Sequence, residues 1–282
     1  MIYRSMQNNF RPVGFSILPP VVKNLLIING LSFLIGLVMQ ERFGLSLNRQ
    51  LGLFYPESEY FKPYQLITHI FMHGDFWHLF FNMFSLWMFG SVLENYWGAK
   101  RFFIYYFATG LGAAAIHLGF NAYEVFEIKQ AINSYMANPS YATFYDLHGV
   151  GSSILDWDKV DEFVKEWSVN KNNPEYIAYS KEIASAILQS KLNVPTVGAS
   201  GAVYGLLLAY GMLFPNTLLM LIFLPIPIKA KYFVAFYGLL ELYQGISNNP
   251  ADNVAHFAHL GGMLFGFILV KWWNKTRRDT FY

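Results

Sequence analysis

Six long apolar stretches alternate with polar segments along the chain. They lie at 24–41, 78–95, 102–122, 198–214, 231–247 and 255–273. A helix that spans a bilayer needs about 20 mostly apolar residues, and each stretch meets or approaches that length. A continuous apolar run of this length indicates a helix, because lipid cannot satisfy an open backbone. The pattern therefore predicts an all-α polytopic membrane protein with six transmembrane helices.

One further apolar segment, TLLMLIFLPIPI, lies between Asn216 and Ile228. Its two prolines, Pro225 and Pro227, remove backbone donors that lipid cannot replace. We therefore expect an interfacial or re-entrant piece here, not a seventh span.

The polar segments divide the chain into five parts. Two stretches of the long insertion, 154–167 and 176–192, carry apolar residues at helical spacing, so we expect small helices there. The parts are a cytoplasmic N-terminal segment at 1–23, transmembrane helices 1–3 with an interfacial first loop at 24–122, an extracytoplasmic, partly helical insertion at 123–195, transmembrane helices 4–6 at 196–273, and a cytoplasmic tail at 274–282.

Composition and charge agree with a membrane protein. Hydrophobic residues make up 54% of the chain and charged residues 13%, against about 25% charged in soluble domains. The net charge of +2 argues against a nucleic-acid partner, and the lack of cysteine excludes disulfides and thiolate chemistry. Lys and Arg concentrate in the segments that are cytoplasmic when the N-terminus is inside, which predicts that both termini are cytoplasmic.

Ser200 is the first residue with the potential for chemistry. It lies in Gly198-Ala199-Ser200-Gly201-Ala202 at the start of an apolar helix. A helix N-terminus offers free N–H groups and a positive dipole end, which suits an oxyanion. The soluble-hydrolase pattern Gly-x-Ser-x-Gly is not met, because alanine occupies position 202. Taken alone, the segment is also compatible with simple packing of small residues between helices.

His259 begins the last apolar stretch, three residues before Gly262 and seven before Gly266. Two glycine-faced helices, one beginning with Ser200 and one with His259, can pack side by side and bring an imidazole to a hydroxyl. For the neighbouring His256 the sequence favours an interfacial position with access to water.

His78 and Asn82 form a third candidate pair at the start of the second apolar stretch. Their i, i+4 spacing places both on one helical face. A neutral polar pair of this kind can donate hydrogen bonds to a developing oxyanion, and it can equally make an interhelical packing bond.

Together these motifs resemble the rhomboid intramembrane serine proteases. The resemblance covers all six spans and the first loop. It rests on the following residues in chain order: His78 and Asn82, then Gly198, Ser200 and Gly201, then Ala258, His259 and Gly262. It implies a six-transmembrane-helix rhomboid-like bundle, and topology together with the lack of a recognisable targeting segment favours a bacterial inner membrane.

The resemblance also implies a role for each site residue. Ser200 is expected to attack the scissile carbonyl, with His259 as general base and then general acid. His78, Asn82 and the backbone N–H of Ser200 are expected to form the oxyanion hole, and Tyr204 to stack on the catalytic histidine. Three glycines are expected to support this arrangement through close helix packing: Gly198, Gly201 and Gly262.

The sequence offers no obvious carboxylate to orient His259. Asp252 lies seven residues away in a loop, so a Ser–His dyad is expected, with slower turnover than a full triad gives. Glu241 is an isolated acid within the fifth apolar stretch; it can bond within the bundle or mark a mobile fifth helix. Pro250 and the loop 248–254 are candidates for a lid, and lateral entry of the substrate past the fifth span is implied by the family.

The expected substrates are single-span membrane proteins that unwind locally within the lipid bilayer, with no cofactor and no metal. A membrane metalloprotease would need His-Glu-x-x-His, whereas His69-Ile-Phe-Met-His73 lacks the glutamate. A haem or metal protein using these histidines and a catalytically inactive, client-binding relative also stay open. A transporter is disfavoured by the lack of internal repeats.

Overall fold

The computed structural model describes residues 14–147, 157–171, 173–221, 224–247 and 254–278. Two antiparallel strands accompany the helices, β1 (Leu218–Leu221) and β2 (Leu224–Lys229). The helices are α1 (Pro20–Phe43), α2 (Leu47–Leu51), α3 (Gln65–Thr68), α4 (Phe76–Ser85), α5 (Ser91–Trp97), α6 (Ala99–Ala137), α7 (Tyr141–Tyr145), α8 (Trp157–Val169), α9 (Pro174–Leu192), α10 (Ser200–Leu213), α11 (Ala230–Ser247) and α12 (His256–Arg278).

The long helices lie close to the predicted apolar stretches, except that α6 continues to Ala137, well past the predicted end at 122. A π-helical turn, Leu86–Gly90, joins α4 to α5 in one continuous rod. Among the described residues, three helical segments are long and apolar enough to cross a membrane: Pro20–Phe43, Phe76–Trp97 and Ala99–Ala137. The apolar helix α10 has 14 residues, about 21 Å of helix, and lies inside the bundle. The structure is thus that of a helical membrane bundle, and six spans stay a prediction.

The expectation of an all-α chain was wrong at one place. The segment expected to be interfacial or re-entrant forms β1 and β2, in which Leu218 pairs with Lys229 and Met220 with Pro227. Proline cannot continue a helix, but it is tolerated on the edge of a sheet, where its missing donor has no partner to satisfy. A two-stranded sheet has only edges, so the two prolines that exclude a span are compatible with this pairing.

The start of α1 is tied to the end of α5 by a buried carboxylate. Pro20 opens α1, and the next two N–H groups have no partner within the helix. The side chain of Glu94 accepts both, from Val21 at 3.0 Å and from Val22 at 2.8 Å. A negative charge is favourable at a helix N-terminus, so this contact fixes α1 against α5.

Glycines let α10 pack between α6 and α12 with their backbones in contact. A Cβ added to Gly201 would lie 2.4 Å from Cβ of Ala113 on α6, and one added to Gly205 would lie 2.7 Å from Thr109. On the other side, a Cβ at Gly262 would lie 1.9 Å from the carbonyl oxygen of Gly201. No side chain fits at these positions, as is typical of close helix pairs in membranes.

The first loop, residues 42–77 between the first two apolar stretches, is bonded to the segment that leads into α10. Leu53 and Thr196 exchange backbone hydrogen bonds of 2.9 and 2.8 Å, and Ser58 Oγ donates to Asn193 Oδ1 at 2.7 Å. Gly198 N–H donates to the carbonyl of His69 at 2.9 Å. The chain therefore enters α10 along a path fixed from outside the helix.

The insertion grows directly out of the third long helix. The 39-residue α6 passes through position 122, where the third span was expected to end, without a break. The helices expected in the insertion are α8 and α9, although 154–156 lie outside the described residues. The end of α6 packs with α7, α8 and α9 around a separate apolar core formed by Ile128, Ile132, Tyr135, Phe144, Leu147, Val160, Trp167, Ala184 and Ile187.

We expect Gly262→Ala to destabilise the protein, because the new methyl group must push α12 away from α10. Overpacking of a tight contact costs about 1–3 kcal/mol. Gly119→Ala is the matched control, since a Cβ at Gly119 meets nothing within 4 Å and alanine favours helix. Thermal unfolding in detergent should show a lower midpoint for Gly262→Ala alone. Equal midpoints for both variants would contradict the packing argument.

Candidate active site

Ser200 and His259 meet although they lie 59 residues apart in the sequence. Nε2 of His259 is 2.9 Å from Oγ of Ser200. Ser200 is the first residue of α10 and is half-buried, whereas His259 lies in the first turn of α12 and is buried. The backbone contact between these helices sets both side chains at one level of the bundle.

Tyr204 packs flat against the imidazole of His259. The ring centroids are 4.2 Å apart and the planes differ by 10°. Tyr204 follows Ser200 by one helical turn, so it lies on the same face of α10. Its hydroxyl donates to a carboxylate oxygen of Glu241 on α11.

Glu241 lies at the site although the sequence did not predict its contact with the histidines. Its Oε2 atom lies 2.8 Å from Nδ1 of His259 and 2.7 Å from Nδ1 of His256, and its side chain is buried. The distance between Nδ1 of His259 and Oε2 is that of an ion pair. The two atoms are not aligned as a well-formed hydrogen bond.

Two expectations are thereby corrected. A carboxylate does lie beside His259, because α11 packs against α12 and brings together residues that are distant in the sequence. His256 is not at a watery interface, because it is buried against the same carboxylate. The sequence signal was an isolated acid in an apolar helix, which is usually functional. The loop 248–254, which was expected to form a lid, lies mostly outside the described residues. Residues 248–253, including Pro250 and Asp252, are not among them.

The same three side chains form a set that could hold a metal ion. The ligand atoms of Glu241, His256 and His259 all lie within 4.8 Å of one another. Ligands of a tetrahedral zinc ion stand about 3.3 Å apart, whereas the two nitrogen–oxygen distances here are 2.7 and 2.8 Å. This spacing fits direct contact between the side chains better than coordination.

His78 lies beside Ser200 across an unusual glycine. Gly198 has φ +124°, a conformation that favours glycine. A Cβ at this position would lie 2.7 Å from Nε2 of His78 and 3.7 Å from Oγ of Ser200. The side chain of Asp75 caps α4 by accepting the His78 N–H at 2.9 Å, which fixes where the helix begins.

Asn82 lies one turn after His78 on the same helix and is buried. Its Nδ2 donates to the backbone carbonyl of His78 at 3.0 Å. The structure therefore brings Ser200, His259 and His78 together, while the described bond of Asn82 goes to its own helix.

A small cavity adjoins Ser200 on the side of the first loop. The volume within which the centre of a water molecule can lie is about 20 Å³. This is room for one water molecule. Polar groups on its wall include His69 and His117, and Nε2 of His117 lies 2.7 Å from Oγ1 of Thr196. The wall thus supplies polar partners for a water next to the serine.

His73 in the first loop is a buried histidine near this site. Its ring lies 5.0 Å from that of His78, centroid to centroid. Burial lowers the pKa of His73 to about 4, because the charged form loses hydration, and the nearby His78 acts in the same direction. His73 is therefore neutral at physiological pH.

The sequence model of the family described as "Rhomboid domain" matches residues 60–126 and 176–273. This chain belongs to the rhomboid family. The matched segments contain each of the four residues predicted to do chemistry: His78, Asn82, Ser200 and His259. The unmatched stretch 127–175 falls within the insertion and contains the end of α6 together with α7 and α8, whereas α9 lies almost entirely in the second matched segment.

A yeast relative supports the same assignment. The chain is 26% identical over 208 residues to "Rhomboid protein 1, mitochondrial" of Saccharomyces cerevisiae, which covers 74% of this chain and 41% of that protein. The chain thus spans less than half the length of this relative. The family and the apolar helices make this rhomboid chain an integral membrane protein, and the family is generally one of serine proteases that act within membranes.

We expect the stability of the folded protein to fall as the pH drops from about 6.5, the ordinary pKa of histidine, towards 4. In that window the unfolded state binds a proton at position 73 and the folded state does not, so stability rises with pH. His73→Phe removes this proton and should reduce the fall. Melting midpoints in detergent at pH 7 and pH 5 test this, and the other buried histidines are common to both proteins. An identical fall in the two proteins would rule out a contribution from His73.

Proposed function

We propose that this rhomboid chain is an intramembrane serine endopeptidase with Ser200 as nucleophile and His259 as general base. The observation that carries the proposal is the 2.9 Å contact between Nε2 of His259 and Oγ of Ser200. A serine hydroxyl is a weak nucleophile until an adjacent base takes its proton. Here the base faces the hydroxyl at hydrogen-bond distance, inside a membrane bundle of a protease family.

The reaction proceeds in two halves. Oγ of Ser200 attacks the scissile carbonyl while its proton moves to Nε2 of His259, and that proton then leaves with the amine product. Water next hydrolyses the acyl-enzyme, with His259 again as base. The cavity beside Ser200 is a place from which this water can come.

We assign the oxyanion hole to His78, Asn82 and the backbone N–H of Ser200. The free N–H groups at the start of α10 and the positive end of its dipole favour a negative oxygen there. The His78 ring borders Ser200 across Gly198, which supports its role. Asn82 can contribute once its amide leaves the carbonyl of His78, so its role depends on a side-chain rotation.

The proposed substrates are single-span membrane proteins cut near the outer membrane face. A peptide bond in a helix is protected by its own hydrogen bonds, so clients with weak helix formers near the cut site should be preferred. The expected topology of six spans with both termini cytoplasmic supports this, because in it the fourth and sixth spans, α10 and α12, begin at that face. A bacterial inner membrane stays the expected location, whereas the yeast relative carries a mitochondrial name.

A second function is a client-binding relative without activity. Such a protein has no need of an aligned serine and histidine, and the Ser200–His259 contact argues against it. A metalloprotease would use Glu241 with His256 and His259, but the nitrogen–oxygen distances of 2.7 and 2.8 Å fit direct contact between these side chains better than coordination.

Ser200→Ala and His259→Ala should each lower cleavage of a tethered membrane reporter by at least about 1,000-fold, because the nucleophile or its base is lost. The purified proteins are compared in detergent and in liposomes, with and without a chelator. The chelator should have no effect on the wild type. Undiminished cutting by Ser200→Ala would refute the serine mechanism, and loss of activity with chelator alone would favour the metal site.

His78→Ala and Asn82→Ala should lower kcat with little change in KM, since an oxyanion hole acts in the transition state. Removal of one such donor costs about 100- to 1,000-fold. Phe81→Ala on the same helix is the control, because that ring is exposed on the outside of the bundle. A rise in KM with unchanged kcat would assign the pair to substrate binding instead.

A further inference from the structure

We infer that Glu241 is a positioning residue for the reaction, which holds His259 through Nδ1 so that Nε2 faces Ser200. The inference rests on the proposed function and extends it from two residues to three. A rhomboid chain of this form would work with a Ser–His–Glu arrangement drawn from three helices, α10, α12 and α11.

The first support is the position of the carboxylate on the ring. His259 contacts Ser200 through Nε2 at 2.9 Å and Glu241 through Nδ1 at 2.8 Å. These atoms are the two nitrogens of one imidazole, so the ring lies between the hydroxyl and the carboxylate. This is the relation between the three groups that serine proteases of unrelated folds share.

The second support is the burial of Glu241. Only 4% of its surface is exposed, and a buried carboxylate is costly unless it is paired. Three polar groups surround it here: the hydroxyl of Tyr204, which donates to it, and Nδ1 of His256 and of His259, which lie 2.7 and 2.8 Å from its Oε2 atom. Such a network gives the carboxylate one fixed position, from which it can orient a partner.

The third support is that Tyr204 contacts both members of the pair. Its ring stacks on His259 at 4.2 Å, and its hydroxyl bonds to Glu241. The imidazole is thus held on its face by Tyr204 and at its edge by Glu241. Nδ1 of His256 contacts the same carboxylate oxygen, Oε2, that faces His259.

The chemical consequence concerns the tautomer of His259. A carboxylate at Nδ1 favours the form with the proton on that atom, which leaves the lone pair of Nε2 free to accept the Ser200 proton. When the proton moves to Nε2 the ring becomes positive, and the carboxylate balances that charge. The proton later goes from Nε2 to the leaving amine, and Glu241 stays ionised throughout.

The approach of Glu241 to His259 is short but not aligned as a good hydrogen bond. Catalytic hydrogen bonds are often poorly aligned before substrate binds and tighten in the reacting complex. The attraction also grows once the ring is charged, so the contact strengthens at the step that needs it.

Glu241→Gln should lower kcat by about 10- to 1,000-fold with little change in KM, less than a classical triad loses because Tyr204 still holds the ring. Rates are divided by the amount of serine that a fluorophosphonate probe can label, so that misfolded protein does not count. Glu241→Asp keeps the charge and should recover part of the loss. Glu166→Gln, an exposed acid on α8, is the matched control and should behave as wild type.

A purely structural role predicts a different result. Melting midpoint and labelled fraction would then fall while kcat per labelled serine stayed at the wild-type value, and the inference would be wrong. If Glu241→Gln does not fold, Tyr204→Phe and Glu241→Asp decide. Tyr204→Phe keeps the stacked ring and loses only the bond to Glu241, so it should lower kcat per labelled serine severalfold. Wild-type rates in both variants would overturn the inference.

The outcome also separates this inference from the proposed function. An active wild type, an inactive Ser200→Ala and a fully active Glu241→Gln would leave the serine protease in place and reject the role of Glu241. Undiminished cutting by Ser200→Ala would reject both.

Discussion

The site depends on one backbone contact, the approach of α10 to α12 at Gly201 and Gly262. A methyl group at Gly262 would lie 1.9 Å from the carbonyl oxygen of Gly201, so this contact requires glycine. Because the two helices touch without side chains between them, the residues in their first turns lie close together. Ser200 and His259 occupy those turns, and a short hydroxyl–imidazole distance follows from the packing.

Buried carboxylates then fix what helix packing alone leaves free. Glu94 accepts the first free N–H groups of α1, and Glu241 gathers Tyr204, His256 and His259. In an environment of low dielectric an unpaired polar group is costly, whereas a fully paired one is rigid. Glu94 thereby joins α5 to α1, and Glu241 joins α11 to both α10 and α12.

Much of this protein was predictable because lipid imposes strong rules. The long helices follow from runs of apolar residues, and α10 and α12 begin at the serine and histidine motifs as expected. The strands β1 and β2 were missed, since a short apolar run with prolines does not reveal its pairing partner. The position of Glu241 was missed as well: nothing local relates it to His259, and only the packing of α11 on α12 brings them together. The same packing buries His256, which the sequence predicted to lie at the interface with access to water.

The sequence by itself determined the helices, the glycines between them and the identity of the serine, the histidine and the polar pair on α4. These are local properties, set by composition, spacing and the period of the α-helix. Only the tertiary structure decided that Nε2 of His259 faces Ser200, that His78 borders the serine across Gly198, and that a carboxylate lies at Nδ1. Distances between side chains on different helices depend on how the helices rotate and pack, and no periodicity within one helix encodes the residue that its neighbour presents.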